Sequence, residues 1–227
     1  MFDYLIQRGL SLDTIKKFNV GFIDTKGNLH GISNLELELS EQFLNSFIFP
    51  IYSIYGELMG ATARRIEGNP KWIHSSGLDK SSCLYGIGEA LPEMVSKRFV
   101  YIVEGCLDAL VMREKGVTPV ISILGSSLSE TQHSLLLRFV DTLVLVPDGD
   151  IAGRGMITKA QTLKTPLQIQ HVLIPEGYDP DTFLLEHGKE EFLKLQARDN
   201  VDNLIGGSRG GNNGDQRRVE CGTSRIN

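Results

Sequence analysis

Three short acidic stretches hold the residues of this sequence best suited to chemistry: Glu104-Gly105 with Asp108 one helical turn later, Asp148-Gly149-Asp150, and Asp179-Pro180-Asp181. Each follows an apolar run that reads as a strand, the third after an intervening Pro175 and Gly177. In an open parallel sheet the ligand site lies beyond the carboxyl ends of the strands, so all three would gather at one edge. Carboxylates crowded there repel one another and raise each other's pKa unless a cation neutralises them. Oxygen-only ligands suit Mg²⁺ or Mn²⁺, and Mg²⁺ usually binds through one or two carboxylates plus substrate phosphates. The chemistry implied is phosphoryl or nucleotidyl transfer, in which a metal pair about 3.5–4 Å apart activates the attacking hydroxyl and stabilises the leaving oxygen. Taken singly, an Asp-Gly-Asp is only a turn with a helix cap; the agreement of three acidic endings is what points to function. Gly105, Gly149 and Gly153 are expected to leave room for phosphates, and Gly125-Ser126-Ser127 to offer amide donors at a helix N-terminus.

The elements that must position these residues are β-α units. Arg98–Val103, Val117–Leu124, Thr142–Val146 and Gln168–Ile174 read as strands. Leu107–Lys115, Ser129–Val140 and Ala152–Leu163 read as the helices between them, and Phe183–Gln196 as a last one. This alternation predicts a four-stranded parallel sheet covered on both faces. Before it, Met1–Phe22 shows two short helices broken at Gly9 and capped near Ser11, and Phe47–Tyr52 with Gly56–Thr62 a β-hairpin. Pro70–Gly88 reads as loop and Glu89–Lys97 as a short helix. We therefore expect an α/β protein with a smaller mixed α/β subdomain at 1–96, the parallel-sheet domain at 97–200 and a Gly-rich, disordered tail at 201–227.

With 227 residues, 41% hydrophobic and 22% charged, the chain has an ordinary globular composition, which excludes fibrous, disordered and membrane-spanning classes. The net charge of -5 removes any argument from overall basicity for nucleic-acid binding. Local chemistry restores one. Arg64, Arg65, Lys71 and Lys80 outnumber Glu67 and Asp79 between Leu58 and Gly88 and interleave with Trp72 and Tyr85, a pattern that suits single-stranded nucleic acid. Cys83, Cys106 and Cys221 are far apart and the five histidines lack ligand spacing, so neither disulfides nor zinc are expected. Cys106 reads as a buried small residue, and the N-terminus shows no signal segment, so a cytoplasmic location and no membrane partner are expected.

The same residues resemble a known family. Glu104-Gly105 after one strand and Asp148-Gly149-Asp150 after a later one look like the topoisomerase-primase (Toprim) signature. Further blocks narrow the resemblance to the catalytic core of bacterial DnaG-type DNA primases. These include Tyr4-Leu5-Ile6-Gln7-Arg8-Gly9-Leu10-Ser11, Phe49-Pro50-Ile51, Gly60–Arg65, Pro70-Lys71-Trp72, Leu84-Tyr85-Gly86 and Gly125-Ser126-Ser127-Leu128. The resemblance implies a Toprim-type sheet and Glu104 as the principal catalytic acid. It implies Asp108, Asp148, Asp150, Asp179 and Asp181, with Glu104, as ligands of Mg²⁺ or Mn²⁺. It places Arg64, Arg65, Lys71 and Lys80 in a basic region that grips phosphates, joined in nucleotide binding by Gly125 and Ser126. The implied reaction is synthesis of a short RNA primer on single-stranded DNA from ribonucleoside triphosphates, with a replicative helicase as a partner through parts beyond this core. Family members usually begin with a zinc-binding domain, whose ligands this chain lacks. Two alternatives stand beside the primase: a Toprim nuclease, in which water replaces the sugar hydroxyl, and a non-catalytic module that only binds single-stranded DNA. A topoisomerase would need a nucleophilic Tyr in a separate cleavage domain.

Overall fold

The computed structural model of the chain describes residues 2–32, 35, 37 and 39–207, with 197–207 traced by backbone alone. Two short helices open it, α1 (Asp3–Gln7) and α2 (Leu12–Lys17), and the Ser11 side chain caps α2 by accepting from the Thr14 amide. The expected hairpin forms from β3 (Ser46–Tyr52) and β4 (Leu58–Arg65), turning at Gly56, whose φ of 81° favours glycine. It is the centre of a larger antiparallel sheet. Strands β1 (Gly21–Ile23), β2 (Leu29–His30) and β5 (Trp72–His74) complete the order β2-β1-β3-β4-β5. β5 and a single 3-10 turn at Lys80–Ser82 therefore replace part of what the sequence suggested was loop. Strand β3 is buried on both faces, with Phe47, Phe49 and Ile51 in one apolar cluster and Ile48 in another. That explains its unbroken apolar text where a half-exposed strand would alternate.

After α3 (Ile87–Lys97) the chain enters a purely parallel four-stranded sheet: β6 (Phe99–Val103), β7 (Val120–Ser122), β8 (Thr142–Leu145) and β9 (Gln168–His171), in the order β7-β6-β8-β9. The connecting helices are α4 (Cys106–Glu114), α5 (Glu130–Leu136) and α6 (Ile151–Gln161), followed by α7 (Pro180–Gly207), which breaks at Gly188. Alternate residues of one strand serve opposite faces. Val100 and Ile102 join Ala90, Met94, Leu136 and Met156 on one face, while Tyr101 and Val103 join Leu110, Phe183 and Phe192 on the other. The α/β architecture with helices on both faces is thus as expected. The backbone stays helical to Gly207, past Val201 where the tail was expected to begin, and residues 208–227 lie outside the described residues.

The apolar cluster that holds Val103 and Leu110 also contains Leu5, Phe18, Phe49 and Tyr85, so one core crosses the expected boundary at 96/97. The Tyr85 and Ser122 backbones add two hydrogen bonds between the halves, 2.8 and 3.1 Å long. Phe49 is fully buried, edge-on to Tyr85 and tilted against Trp72. Phe49→Ala should therefore cost about 3–5 kcal/mol in denaturant unfolding, with Trp72 fluorescence and circular dichroism following one shared transition. Two separated transitions in the wild-type chain would contradict a continuous core.

Candidate active site

The carboxyl edge of the parallel sheet and the open face of the antiparallel sheet enclose a cleft of about 610 Å³. Glu104, Asp108, Asp148, Asp179 and Asp181 line it from the parallel-sheet half, and Arg8, Arg64, Lys71 and Lys80 line it from the preceding half. Glu104 follows β6 directly, and its backbone carbonyl accepts from the Ser122 hydroxyl at 2.7 Å, tying it to the neighbouring strand β7. Asp108 sits in the first turn of α4, and its Oδ1 accepts from the Asp181 amide at 3.3 Å. Asp148 follows β8. Asp179 and Asp181 flank Pro180 at the start of α7, a position where the missing proline N–H costs nothing.

The glycines of this region do a different job from the one expected. A Cβ on Gly149 would lie 2.2 Å from the Pro175 carbonyl oxygen and 2.7 Å from that of Tyr178. A Cβ on Gly153 would lie 2.2 Å from the Asp148 carbonyl oxygen. Both let protein backbone pack against protein backbone: Gly149 brings the second and third acidic stretches together, and Gly153 lets the first turn of α6 close on Asp148. Gly105 is crowded by the Asp108 carboxylate, whereas Gly125 lines the cleft with little near it. Gly125–Ser127 do not open a helix, because Ser129 caps α5 through a capping box with Gln132.

The electrostatics are those of crowded like charges. Asp148 is pushed up from 3.8 to about 7, by burial first and then by the charges of Glu104, Asp179, Asp150 and Asp181. Burial, then Asp181 and Asp148, raises the half-buried Asp108 well above the carboxylate range. Burial and the Asp150 charge raise Glu104, and burial with Asp181 raises Asp179. Among the described residues one ion pair offsets this: Arg8, the residue ending α1, pairs its Nη2 with Asp181 Oδ2. Even so, Glu104 Oε1, Asp148 Oδ1 and Asp181 Oδ1 are buried without a hydrogen-bond partner. Orphaned anionic oxygens of this kind fit a divalent cation. Among the described residues no three ligands already form a closed ion site, so an ion here would complete its shell with substrate phosphate and water.

On the other wall, Arg64 is held by the Tyr4 hydroxyl, which accepts from its Nε at 2.8 Å, and lies over the Tyr4 and Trp72 rings. Arg64, Lys71 and Lys80 enter no ion pair among the described residues. The structure does not bring Arg65 to the cleft. Its strand alternates faces, and its guanidinium donates to the backbone carbonyls of Gln42 and Asn69. Asp150 is not a wall residue either; it caps α6 through the Gly153 amide at 2.7 Å, while its charge still bears on Glu104 and Asp148. Cys106 is buried, which pushes its thiol up, as befits a packing residue. Sequence reasoning assigned no function to Arg8 and His74, both of which line the cleft, nor to Leu124, whose φ of 56° re-aims the chain into Gly125-Ser126. A lone Arg ending a short helix carries no local signal of its role. Among the described residues no helix is long and apolar enough to cross a membrane.

Residues 101–184 match a family model described as Toprim-like, so the chain carries a Toprim-like domain. The chain is 31% identical over 211 residues to the DNA primase of Lactococcus lactis, a match covering 82% of this chain and 33% of that protein. It shares a TM-score of 0.74 and 28% identity with the zinc-binding and RNA polymerase domains of Aquifex aeolicus primase, over 91% of this chain and 60% of that one. With the DnaG primase catalytic domain bound to single-stranded DNA the values are 0.70 and 26%, over 86% and 72%. In sequence and fold this chain is a relative of the bacterial DnaG-type primase catalytic core, and it spans about a third of the length of the Lactococcus relative.

The raised Asp148 fixes the sign of a pH effect. Between 3.8 and about 7 the folded protein keeps a proton that the unfolded chain has released, so stability falls as pH rises through that window. Without divalent ions, thermal unfolding should shift to lower temperature as pH is raised from 3.8 to about 7 and level off above it. Asp148→Asn should raise Tm above that pH and change it little below the ordinary carboxylate range. A lower Tm for the variant at high pH would contradict the crowding described.

Proposed function

We propose that this chain catalyses nucleotidyl transfer as a primase does, joining ribonucleotides into a short RNA on a single-stranded DNA template. The observation that carries this reading is one cleft lined both by orphaned buried carboxylate oxygens and by Arg64, Lys71 and Lys80, which enter no ion pair among the described residues. A site that holds two polyanions, a template and a triphosphate, beside a divalent ion has use for both. The similarity to primases favours this reading over the nuclease and over the non-catalytic module.

In this reading Glu104 and Asp148, with Asp108, Asp179 and Asp181 lining the same cleft, would hold Mg²⁺ or Mn²⁺, with Asp150 adding charge nearby, and the ion would supply charge neutralisation at the reacting phosphate. The chain's own residues do the rest. Glu104, whose carboxyl is pushed up by burial and by the Asp150 charge, acts nearest the reacting group. Arg64, held by the Tyr4 hydroxyl and lying over the Tyr4 and Trp72 rings, presents a guanidinium whose orientation is set before substrate arrives. Lys71 and Lys80 add point charges for template and triphosphate phosphates. Gly125 and Ser126 leave an uncrowded wall where a nucleotide can approach.

Incorporation of labelled ribonucleotides on single-stranded DNA with Mg²⁺ or Mn²⁺ tests this directly. Glu104→Gln should lower the rate by about 10²–10⁴-fold while leaving DNA affinity unchanged. Equal synthesis by the variant would remove Glu104 from the reaction, and metal-dependent DNA cleavage without nucleotides would restore the nuclease.

A further inference from the structure

Lys80 reaches the cleft from a 3-10 turn, Lys80–Ser82, in which no residue is buried. Asp79 closes the turn from within by accepting from the Ser81 amide at 3.0 Å and the Ser81 hydroxyl at 2.6 Å. What fixes the turn in space comes from the other half of the molecule. Gln132 in α5, 1% exposed, donates from Nε2 to the Lys80 carbonyl at 2.9 Å and the Cys83 carbonyl at 2.7 Å. The Ser129 hydroxyl donates to the carbonyl between them, that of Ser81.

The same Gln132 nitrogen lies 3.1 Å from the Ile123 carbonyl, just before Leu124 swings the chain into Gly125 and Ser126. Its Oε1 accepts from the Ser129 amide at 3.0 Å, which settles which end of the amide faces the carbonyls. Two donor hydrogens thus serve three carbonyls from two segments that both line the cleft, and only a side chain with this acceptor-and-donor pair can do so. A glutamate would set a carboxylate against those carbonyls, and a methionine of similar length would leave them unpaired.

We propose that Gln132 is a positioning residue for phosphate recognition: it clamps the Lys80 turn and the Ile123–Ser126 segment to one another and so sets where the Lys80 ammonium stands in the cleft. The inference rests on the reading above in which Lys80 contacts nucleic-acid phosphate, and it assigns Gln132 no contact with substrate.

The salt dependence of binding separates this from a purely structural role. Each phosphate contact on a single strand contributes about 0.7 to the slope of log affinity against log salt. In the full chain, binding of a fluorescent single-stranded oligodeoxynucleotide should lose about that much slope in Lys80→Ala. Gln132→Met, which removes no charge, should lose the same amount, and the double variant should lose no more than either single one. A merely structural glutamine would lower Tm and leave the slope alone, so an unchanged slope in Gln132→Met, or additive losses in the double variant, would overturn the proposal. If Gln132→Met does not fold, Ser129→Ala must lower the slope in the same direction, or the clamp is refuted. An unchanged slope in Lys80→Ala would instead refute the phosphate contact itself, and the clamp would fall with it.

Discussion

The structure depends on holding like charges together. Glu104, Asp108, Asp148, Asp179 and Asp181 converge on the carboxyl edge of one parallel sheet, and burial first, then mutual repulsion, raises Asp108, Asp148, Glu104 and Asp179. No fold stability comes from that arrangement; the surrounding packing has to overcome it. Two features do so. Gly149 and Gly153 allow backbone segments to meet at distances a Cβ would forbid, and Arg8 reaches across from the first helix to Asp181. A residue near the N-terminus therefore completes the electrostatics of a site built largely by residues past 100.

The antiparallel sheet answers the acidic edge with a wall of cations, and the two are fixed to one another by a core that runs through both. Phe49, Tyr85 and Phe18 sit in the same cluster as Val103 and Leu110, so the cleft is a seam within one packed body. Rigid cationic placement follows from local devices. Arg64 lies over the Tyr4 and Trp72 rings and donates to the Tyr4 hydroxyl, and Gln132 pins the backbone that carries Lys80. Preorganised charge of this kind does not have to reorganise when a polyanion binds.

Much of this was legible in the sequence because its signals are local. Buried parallel strands are written as unbroken apolar runs, and acidic residues at their carboxyl ends can be read without knowing what they touch. Strands β1, β2 and β5 were not legible because each has only two or three residues in polar surroundings, and only pairing with the hairpin defines them. Arg65 was misplaced because adjacency in a strand means opposite faces, and the text does not say which face meets the cleft. The role of Gly149 depends on Pro175 and Tyr178, and that of Gln132 on Lys80, Cys83 and Ile123. Contacts spanning tens of residues leave no pattern in a single sequence.

The most direct test of the account is to locate the ion. Anomalous diffraction from crystals of the full chain grown with Mn²⁺, a non-hydrolysable ribonucleoside triphosphate and a single-stranded oligodeoxynucleotide would show where metal and phosphate sit together. The account predicts a peak bonded to Glu104 or Asp148 oxygens and to triphosphate oxygens, with Arg64, Lys71 or Lys80 on the phosphates. Manganese bound only outside this cleft, or triphosphate bound away from the acidic edge, would contradict it.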